Sequence, residues 1–248
     1  MARLPPMSLL SMVRRTVRRA TLDVVRFHPR SHPLARRMHL LRRHAIDVVF
    51  DVGANSGQYA RELRQLGYRG RIVSFEPLAA AFATLRASSA ADRRWEVEQL
   101  ALGDLPGRAH INVAGNSVSS SLLPMLETHA RSAPASAYVG TEEIAVDTLA
   151  AAIARHLGRA DERLFVKIDA QGYEQRILDG AGAALARVVG LQLEMSLVPL
   201  YEGETLLAPM VERLAARGFT LMSLEPGYGD PETGQLLQVD GLFFRAAS

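Results

Sequence analysis

Val48-Val49-Phe50-Asp51-Val52-Gly53-Ala54-Asn55-Ser56-Gly57 reads as a short buried strand that ends in an acid and passes into a glycine turn. The run that leads into it, Ile46–Val52, is short, apolar and β-rich, as expected of a strand covered on both faces. Gly53 and Gly57 let the chain turn tightly and bring its backbone against a ligand with no Cβ in the way. A helix beginning near Gln58 would point its free N–H groups at the same spot, which suits a carboxylate or a phosphate. Strand, glycine turn and helix in that order open an α/β fold, with the ligand crevice at the carboxyl ends of the strands.

The pattern repeats outward from this stretch. Helix is expected over Tyr59–Leu66, ending at Gly67, and a second strand over Arg71–Phe75. A helix from Pro77 through Leu85 leads to a third strand, Trp95–Leu102. Residues 108–146 read as less regular, with a serine-rich loop at Asn116–Ser121 and a strand at Glu143–Val146. A helix over Asp147–His156, capped by Asp147, precedes a buried strand at Leu164–Ile168 and a helix running to about Leu185. Val188–Glu194 is the next strand and Pro209–Arg217 a helix. Phe219–Leu224 and Gln238–Phe244 close the chain as an antiparallel pair. Such alternation implies a mostly parallel sheet with helices on both faces and an antiparallel edge.

A chain of 248 residues, 48% of them hydrophobic, can bury one full α/β core with a short appendage. The appendage is residues 1–45, and the body residues 46–248. Residues 1–45 hold eleven arginines and one acid, Asp23, a net +10. The whole chain carries +3, so the body carries −7. The arm is read as helical over Met7–Val25, broken by His28-Pro29-Arg30-Ser31-His32-Pro33, and helical again over Leu34–His44. Of 29 basic residues 28 are arginine, a bias ascribed to codon composition. The absence of cysteine excludes disulfides and thiolate catalysis. No apolar run approaches the roughly 20 residues that span a bilayer. The expected location is therefore the cytoplasm, with the inner membrane face as the place an arginine arm would take it.

Two ligand classes suit the glycine turn. A dinucleotide site asks for G-x-G-x-x-G, and after Gly53 the required positions are Asn55 and Gln58, so both fail. A ligand bearing an amino acid needs only its carboxylate held, which Asn tolerates, and Asp51 stands where its ammonium would lie. The next strand ends Phe75-Glu76-Pro77, and a carboxylate at Glu76 can accept both ribose hydroxyl hydrogens. Either acid alone is an ordinary strand-end polar residue; the two with the turn between them point to a ligand.

With these stretches the chain resembles the FkbM family of methyltransferases over roughly residues 46–245. The resemblance rests on Asp51-Val52-Gly53-Ala54-Asn55-Ser56-Gly57, Phe75-Glu76-Pro77, Ala101-Leu102-Gly103-Asp104, Val166-Lys167-Ile168-Asp169-Ala170-Gln171-Gly172-Tyr173-Glu174 and Leu191-Gln192-Leu193-Glu194, in the family's order. It implies a Rossmann-like class I methyltransferase with a seven-stranded sheet. It also implies S-adenosylmethionine as cofactor and O-methylation, often of sugars or glycosylated compounds. Asp51, Gly53, Ala54, Asn55, Gly57, Glu76, Pro77, Ala101 and Leu102 are then the cofactor residues, with Leu102 against the adenine. Val146-Asp147-Thr148-Leu149 departs from the family, which more often places the acid after the leucine.

Methyl transfer to a hydroxyl needs the acceptor aligned and its proton removed. Asp169 and Glu194, ending neighbouring central strands, are the catalytic candidates. Together they also offer oxygen ligands to a divalent cation, although no third ligand is evident and a metal is not favoured. Lys167 is read as half of a structural ion pair. His129 and His156 are assigned to the surface, and Tyr201, Glu202 and Gly203 to the acceptor wall. The expected partner is a small-molecule or lipid-linked sugar, with the arginine arm offering contact to anionic lipid. A nucleic-acid methyltransferase is the alternative. Against it, Ile168-Asp169-Ala170-Gln171 lacks the Asn/Asp-Pro-Pro-aromatic pattern of base methylation, and the arm has few aromatics to stack bases. A non-catalytic cofactor-binding module is a third reading, and a nicotinamide oxidoreductase falls with the glycine pattern.

Overall fold

The computed structural model describes residues 24–246. The helix expected over Met7–Val25 lies outside the described residues except for Val24 and Val25, which are not helical. By its internal contacts the chain divides into a unit ending at Leu40 and a unit from Leu41 onward. In the first, the carbonyl of His28 accepts the N–H groups of Ser31 and His32, a turn that leads to helix α1 (Pro33–Arg43).

The second unit is built on β1 (Val48–Val52), β2 (Arg71–Phe75), β3 (Trp95–Glu98), β7 (Leu164–Ile168), β8 (Val188–Ser196), β9 (Phe219–Pro226) and β10 (Gln238–Arg245). They form one sheet in the order β3-β2-β1-β7-β8-β10-β9. The first five run parallel, and β10 is antiparallel to both neighbours, so the reversed strand lies one position in from β9. Helices α2 (Gln58–Gln65), α3 (Ala79–Ser89), α5 (Leu149–His156), α6 (Glu174–Asp179) and α7 (Leu207–Ala216) connect the strands, and a short helix α4 (Glu127–Ser132) lies between α3 and α5 in the chain. Every residue of β1 and β7 is buried, which is why both read as nearly unbroken apolar runs. Val48, Phe50, Val166, Ile168, Leu191 and Leu193 belong to the main core.

Four expectations need correcting. The strand expected over Trp95–Leu102 is two: β3 pairs with β2, while β4 (Ala101–Gly103) joins a second sheet of order β4-β6-β5. That sheet takes up the region read as irregular, with β5 (Gly107–Ala114) antiparallel to β6 (Tyr138–Thr148). Helix α5 is capped by Thr148, whose Oγ1 accepts the N–H of Ala151, and not by Asp147, which is still in β6 and pairs with Arg155. The helix expected to reach Leu185 stops at Asp179, and a 3₁₀ turn spans Gly182–Arg187. Gly180 packs against the carbonyl of Gly103, an approach that only a residue without Cβ allows. None of the described helices is long and apolar enough to cross a membrane.

Candidate methyl-transfer site

Parallel register brings the working residues together. Val52 pairs with both Phe75 and Ile168, and Ile168 with Leu193, so β1, β2, β7 and β8 end level with one another. Gly53, Glu76, Asp169 and Glu194 each follow by one residue. The crevice expected at the carboxyl ends of an open α/β sheet therefore has an acid at three of its four strand ends.

The glycine turn is held on all sides. Gly53 and Ala54 donate their N–H groups to the Phe75 carbonyl at 3.1 and 3.0 Å. Asn55 takes a left-handed φ of 47° and donates its N–H to Glu76 Oε2 at 2.8 Å. The other Glu76 oxygen accepts the Leu78 N–H at 2.9 Å. Each oxygen keeps a second lone pair, and burial pushes this carboxyl's pKa up against those two N–H groups. Gly57, φ 87°, precedes α2, and a Cβ there would sit 2.7 Å from the Trp95 ring. Asn55 Nδ2 reaches Ser117 Oγ at 3.2 Å, and Ser121 Oγ donates to the Gln171 carbonyl at 2.7 Å. The serine-rich loop thus spans the gap between the two turns. Asn55, Ser117 and Gln171 are three of the four non-glycine residues with positive φ among those described, which concentrates backbone strain at this site.

Asp51 is wholly enclosed. Its Oδ2 accepts from Ser74 Oγ at 3.2 Å, and Oδ1 faces Lys167 Nζ at 3.4 Å without an aligned hydrogen bond. Burial raises its pKa, and Lys167 works against that rise. Asp51, Ser74, Lys167 and Gln192 occupy paired positions on four adjacent strands and form one polar row across the sheet. The row continues at both ends, through Trp95 Nε1 donating to Ser74 and Gln192 Nε2 donating to Asp240. Tyr59 donates its hydroxyl to Gln192 Oε1 at 3.0 Å. Lys167 is the buried ion-pair residue expected, and it has two carboxylates, Asp51 and Asp169, each at 3.4 Å.

Asp169 and Glu194 are brought together by Gln171, whose Nε2 donates to Asp169 Oδ1 at 2.9 Å and Glu194 Oε2 at 2.6 Å. Tyr201 donates its hydroxyl to Gln171 Oε1 at 2.7 Å and fixes which way the amide points. Gln238 gives Glu194 Oε2 a second donor at 2.9 Å. Asp169 keeps 35% of its side chain exposed, so it is the accessible acid of the pair. Glu194 is held well above the usual carboxylate range, first by burial and then by the charges of Asp169, Glu174 and Asp240. Beneath them Glu174 accepts the N–H groups of Ala170 and Gly172, and burial raises its pKa to about 8.

Other expected residues fall elsewhere. Leu102 is packed in the main core and Ala101 in a second cluster with Leu78, Ile111 and Ile144. Pro77 is half-buried beside that cluster's Leu78, and its carbonyl accepts from Gln99 Nε2. The two histidines are not on the surface. His129 is 3% exposed and edge-on to Tyr201, and His156 packs against Phe50 and Phe75 with Nε2 at 2.6 Å from Glu98. Gln171, Gln192 and Gln238 were not singled out as site residues. For Gln192 the signal is a polar residue recurring every second position in an apolar strand, with Glu194 and Ser196, whereas Gln171 lies in the turn after β7. Among the described residues no group of three or more His, Cys, Asp or Glu side chains is arranged to hold a metal ion.

Solved methyltransferase structures are among those the chain is similar to, all at low identity. The chain is similar to an rRNA methylase from Streptococcus thermophilus at 12% identity, covering 87% of this chain and 98% of that one, TM-score 0.46. It is similar to the magnesium protoporphyrin IX methyltransferase of Synechocystis at 10% identity, over 98% and 86% of the two chains, TM-score 0.46. A precorrin-6y C5,15-methyltransferase from Geobacter metallireducens is 15% identical over 86% and 87%, TM-score 0.43. No curated protein matches. The FkbM methyltransferase domain matches residues 51–221, from the acid that opens the glycine turn to the middle of β9 and through both catalytic candidates. This chain belongs to the FkbM methyltransferase family.

Proposed function

We propose that the chain transfers a methyl group from S-adenosylmethionine to an oxygen, the hydroxyl of a sugar, glycolipid or glycosylated metabolite. The observation that carries this is the pairing of Asp169 and Glu194 by one amide, directly beside the glycine turn. The turn suits the cofactor: a Cβ at Gly53 or Gly57 would strike the Asp169 carbonyl or the Trp95 ring, so only glycine lets the turn close here, and Asp51 Oδ1 is a buried oxygen with no aligned donor. The Gly53–Gly57 backbone would hold the amino-acid end and Glu76 the ribose through its remaining lone pairs. Ala54, Asn55, Pro77 and the backbone at Ala101 and Leu102 complete the candidate cofactor contacts. S-adenosylmethionine, when bound, supplies a methyl carbon on a positively charged sulfur.

The chain's own work is on the acceptor. Asp169, the accessible acid of the pair, would take the proton from the attacking hydroxyl. Glu194 in its neutral form accepts both glutamine amides at Oε2 and keeps the other oxygen to donate to the acceptor. Tyr201 and Ser121 hold the Gln171 turn that positions both acids. Asp169→Asn keeps the shape and removes the base. S-adenosylhomocysteine should bind it within about twofold of wild type by calorimetry, while turnover falls about 10²–10⁴-fold. Turnover at the wild-type rate would remove Asp169 from this role.

The arginine arm of residues 1–45 is proposed to bring the enzyme to anionic lipid bearing its acceptor. Co-sedimentation with phosphatidylglycerol vesicles should be lost on removing residues 1–33, and unchanged binding would eliminate the lipid role.

A further inference from the structure

In a chain that uses arginine at 28 of 29 basic positions, the single lysine lies 7% exposed at the junction of the two turns. Lys167 Nζ donates to the Gly53 carbonyl at 3.2 Å and stands 3.4 Å from Asp51 Oδ1 and 3.4 Å from Asp169 Oδ2. Those three oxygens belong to the cofactor turn, the buried acid beneath it and the accessible acid of the acceptor site. We propose that Lys167 is a positioning residue that fixes these three groups in one arrangement, a task that requires an ammonium and that arginine cannot perform. The inference rests on the cofactor reading above and goes beyond it by linking the cofactor cradle to the base.

The physical argument is geometric. An ammonium is a compact point charge with three tetrahedral donors, and here three oxygens converge on it from different directions. A guanidinium is larger and planar, and serves several acceptors only where they lie around the edge of one plane, as those of Arg64 do. The ammonium is also enclosed: Lys167 is buried, the Gly53 and Asp169 backbones lie in contact beside it, and the Tyr59 ring stands 5.7 Å from Nζ. A codon bias that replaces lysine by arginine on exposed surfaces is harmless there and would not be at this position. Removing the cation would leave buried Asp51 without its counter-charge, a strongly unfavourable state. The groups facing the ammonium are Asp51 from β1, Asp169 after β7, Asp240 from β10 and Tyr59 from α2. Burial alone would lower the lysine pKa, and Asp169, Asp51 and Asp240 outweigh it, holding the group charged above its usual range.

A single lysine also makes the test clean. Full-length protein grown with ¹⁵Nζ-lysine carries one labelled side-chain nitrogen. Its ammonium resonance should stay protonated at least one pH unit above the roughly 10.4 of a free side chain. It should move on saturation with S-adenosylhomocysteine and move again in Asp169→Asn. Lys167→Arg keeps the charge, so thermal unfolding reports whether it folds, and its S-adenosylhomocysteine affinity should fall at least about tenfold (about 1.4 kcal/mol). A wild-type protein that binds S-adenosylhomocysteine with an unmoved, normally titrating lysine overturns the role of Lys167 alone. So does a folded Lys167→Arg with wild-type affinity. Should Lys167→Arg fail to fold, the wild-type resonance decides. Absence of any S-adenosylhomocysteine binding by wild type overturns the cofactor reading and this inference together.

Discussion

At Gly53 the backbone passes with φ 74°, and a Cβ would strike the Asp169 carbonyl oxygen. The glycine therefore does two things: it permits the turn, and it lets β1 and β7 end in contact, so that the proposed cofactor turn lies directly against Asp169. Gly53→Ala should cost more than about 2 kcal/mol of stability in urea unfolding, because both the backbone conformation and the packing forbid the methyl. It should also abolish S-adenosylhomocysteine binding at temperatures where the variant remains folded. An alanine variant with wild-type stability and affinity would show that the two turns do not meet as described. Residues of this kind were legible in the sequence because their signal is local: Asp51, Gly53, Gly57 and Glu76 are read from spacing along one or two strands. Gln171, Gln192 and Gln238 were not, since their importance comes from partners 23 to 133 residues away. The same limit applies to Lys167. Its burial and need for a carboxylate followed from its place in a buried run, but its partners depend on strand register, which no stretch of sequence displays.

The strands of the main sheet were read most closely where burial on both faces makes the apolar run continuous, as in Leu164–Ile168. The small sheet was missed for the opposite reason. β5 and β6 are largely exposed, and with β4 and Leu78 they bury only Ala101, Ile111 and Ile144 as a cluster, too few to stand out against charged neighbours. The break between β3 and β4 is likewise invisible, because both halves are β-prone and only pairing separates them into two sheets. One consequence is testable at the join of β6 and α5. Thr148, not Asp147, satisfies a free N–H of the first helical turn. Thr148→Ala should cost about 1 kcal/mol in urea unfolding. Asp147→Ala removes a partly exposed ion pair with Arg155 and should cost under about 0.5 kcal/mol. The reverse order of the two losses would return the cap to Asp147.

Across the whole molecule the buried carboxyls set a pH dependence opposite to that of most surface acids. Burial raises the pKa of Asp51, Glu76, Glu174 and Glu194, and the value reaches about 8 for Glu174. Each binds its proton more tightly in the folded chain than in the unfolded one. The stability linked to that proton is full below the ordinary carboxylate range and is lost as pH rises through the folded value. Asp92, paired with Arg64, and Glu162, held by backbone N–H groups, have lowered pKa values, so their stabilisation is lost on acidification instead. The two sets bracket a maximum at mildly acidic pH. The thermal midpoint should therefore fall between about pH 5.5 and 8.5 at constant ionic strength. Glu174→Gln retains a carbonyl oxygen for the Ala170 and Gly172 N–H groups and cannot ionise. It should flatten that fall by an amount on the order of a few kcal/mol at pH 8.5. A Glu174→Gln profile parallel to wild type would mean that the carboxyl under the Asp169 turn is already charged at neutral pH. The low-dielectric floor of the proposed acceptor site, whose burial raises the Glu194 pKa, would then have to be wetter than that burial implies.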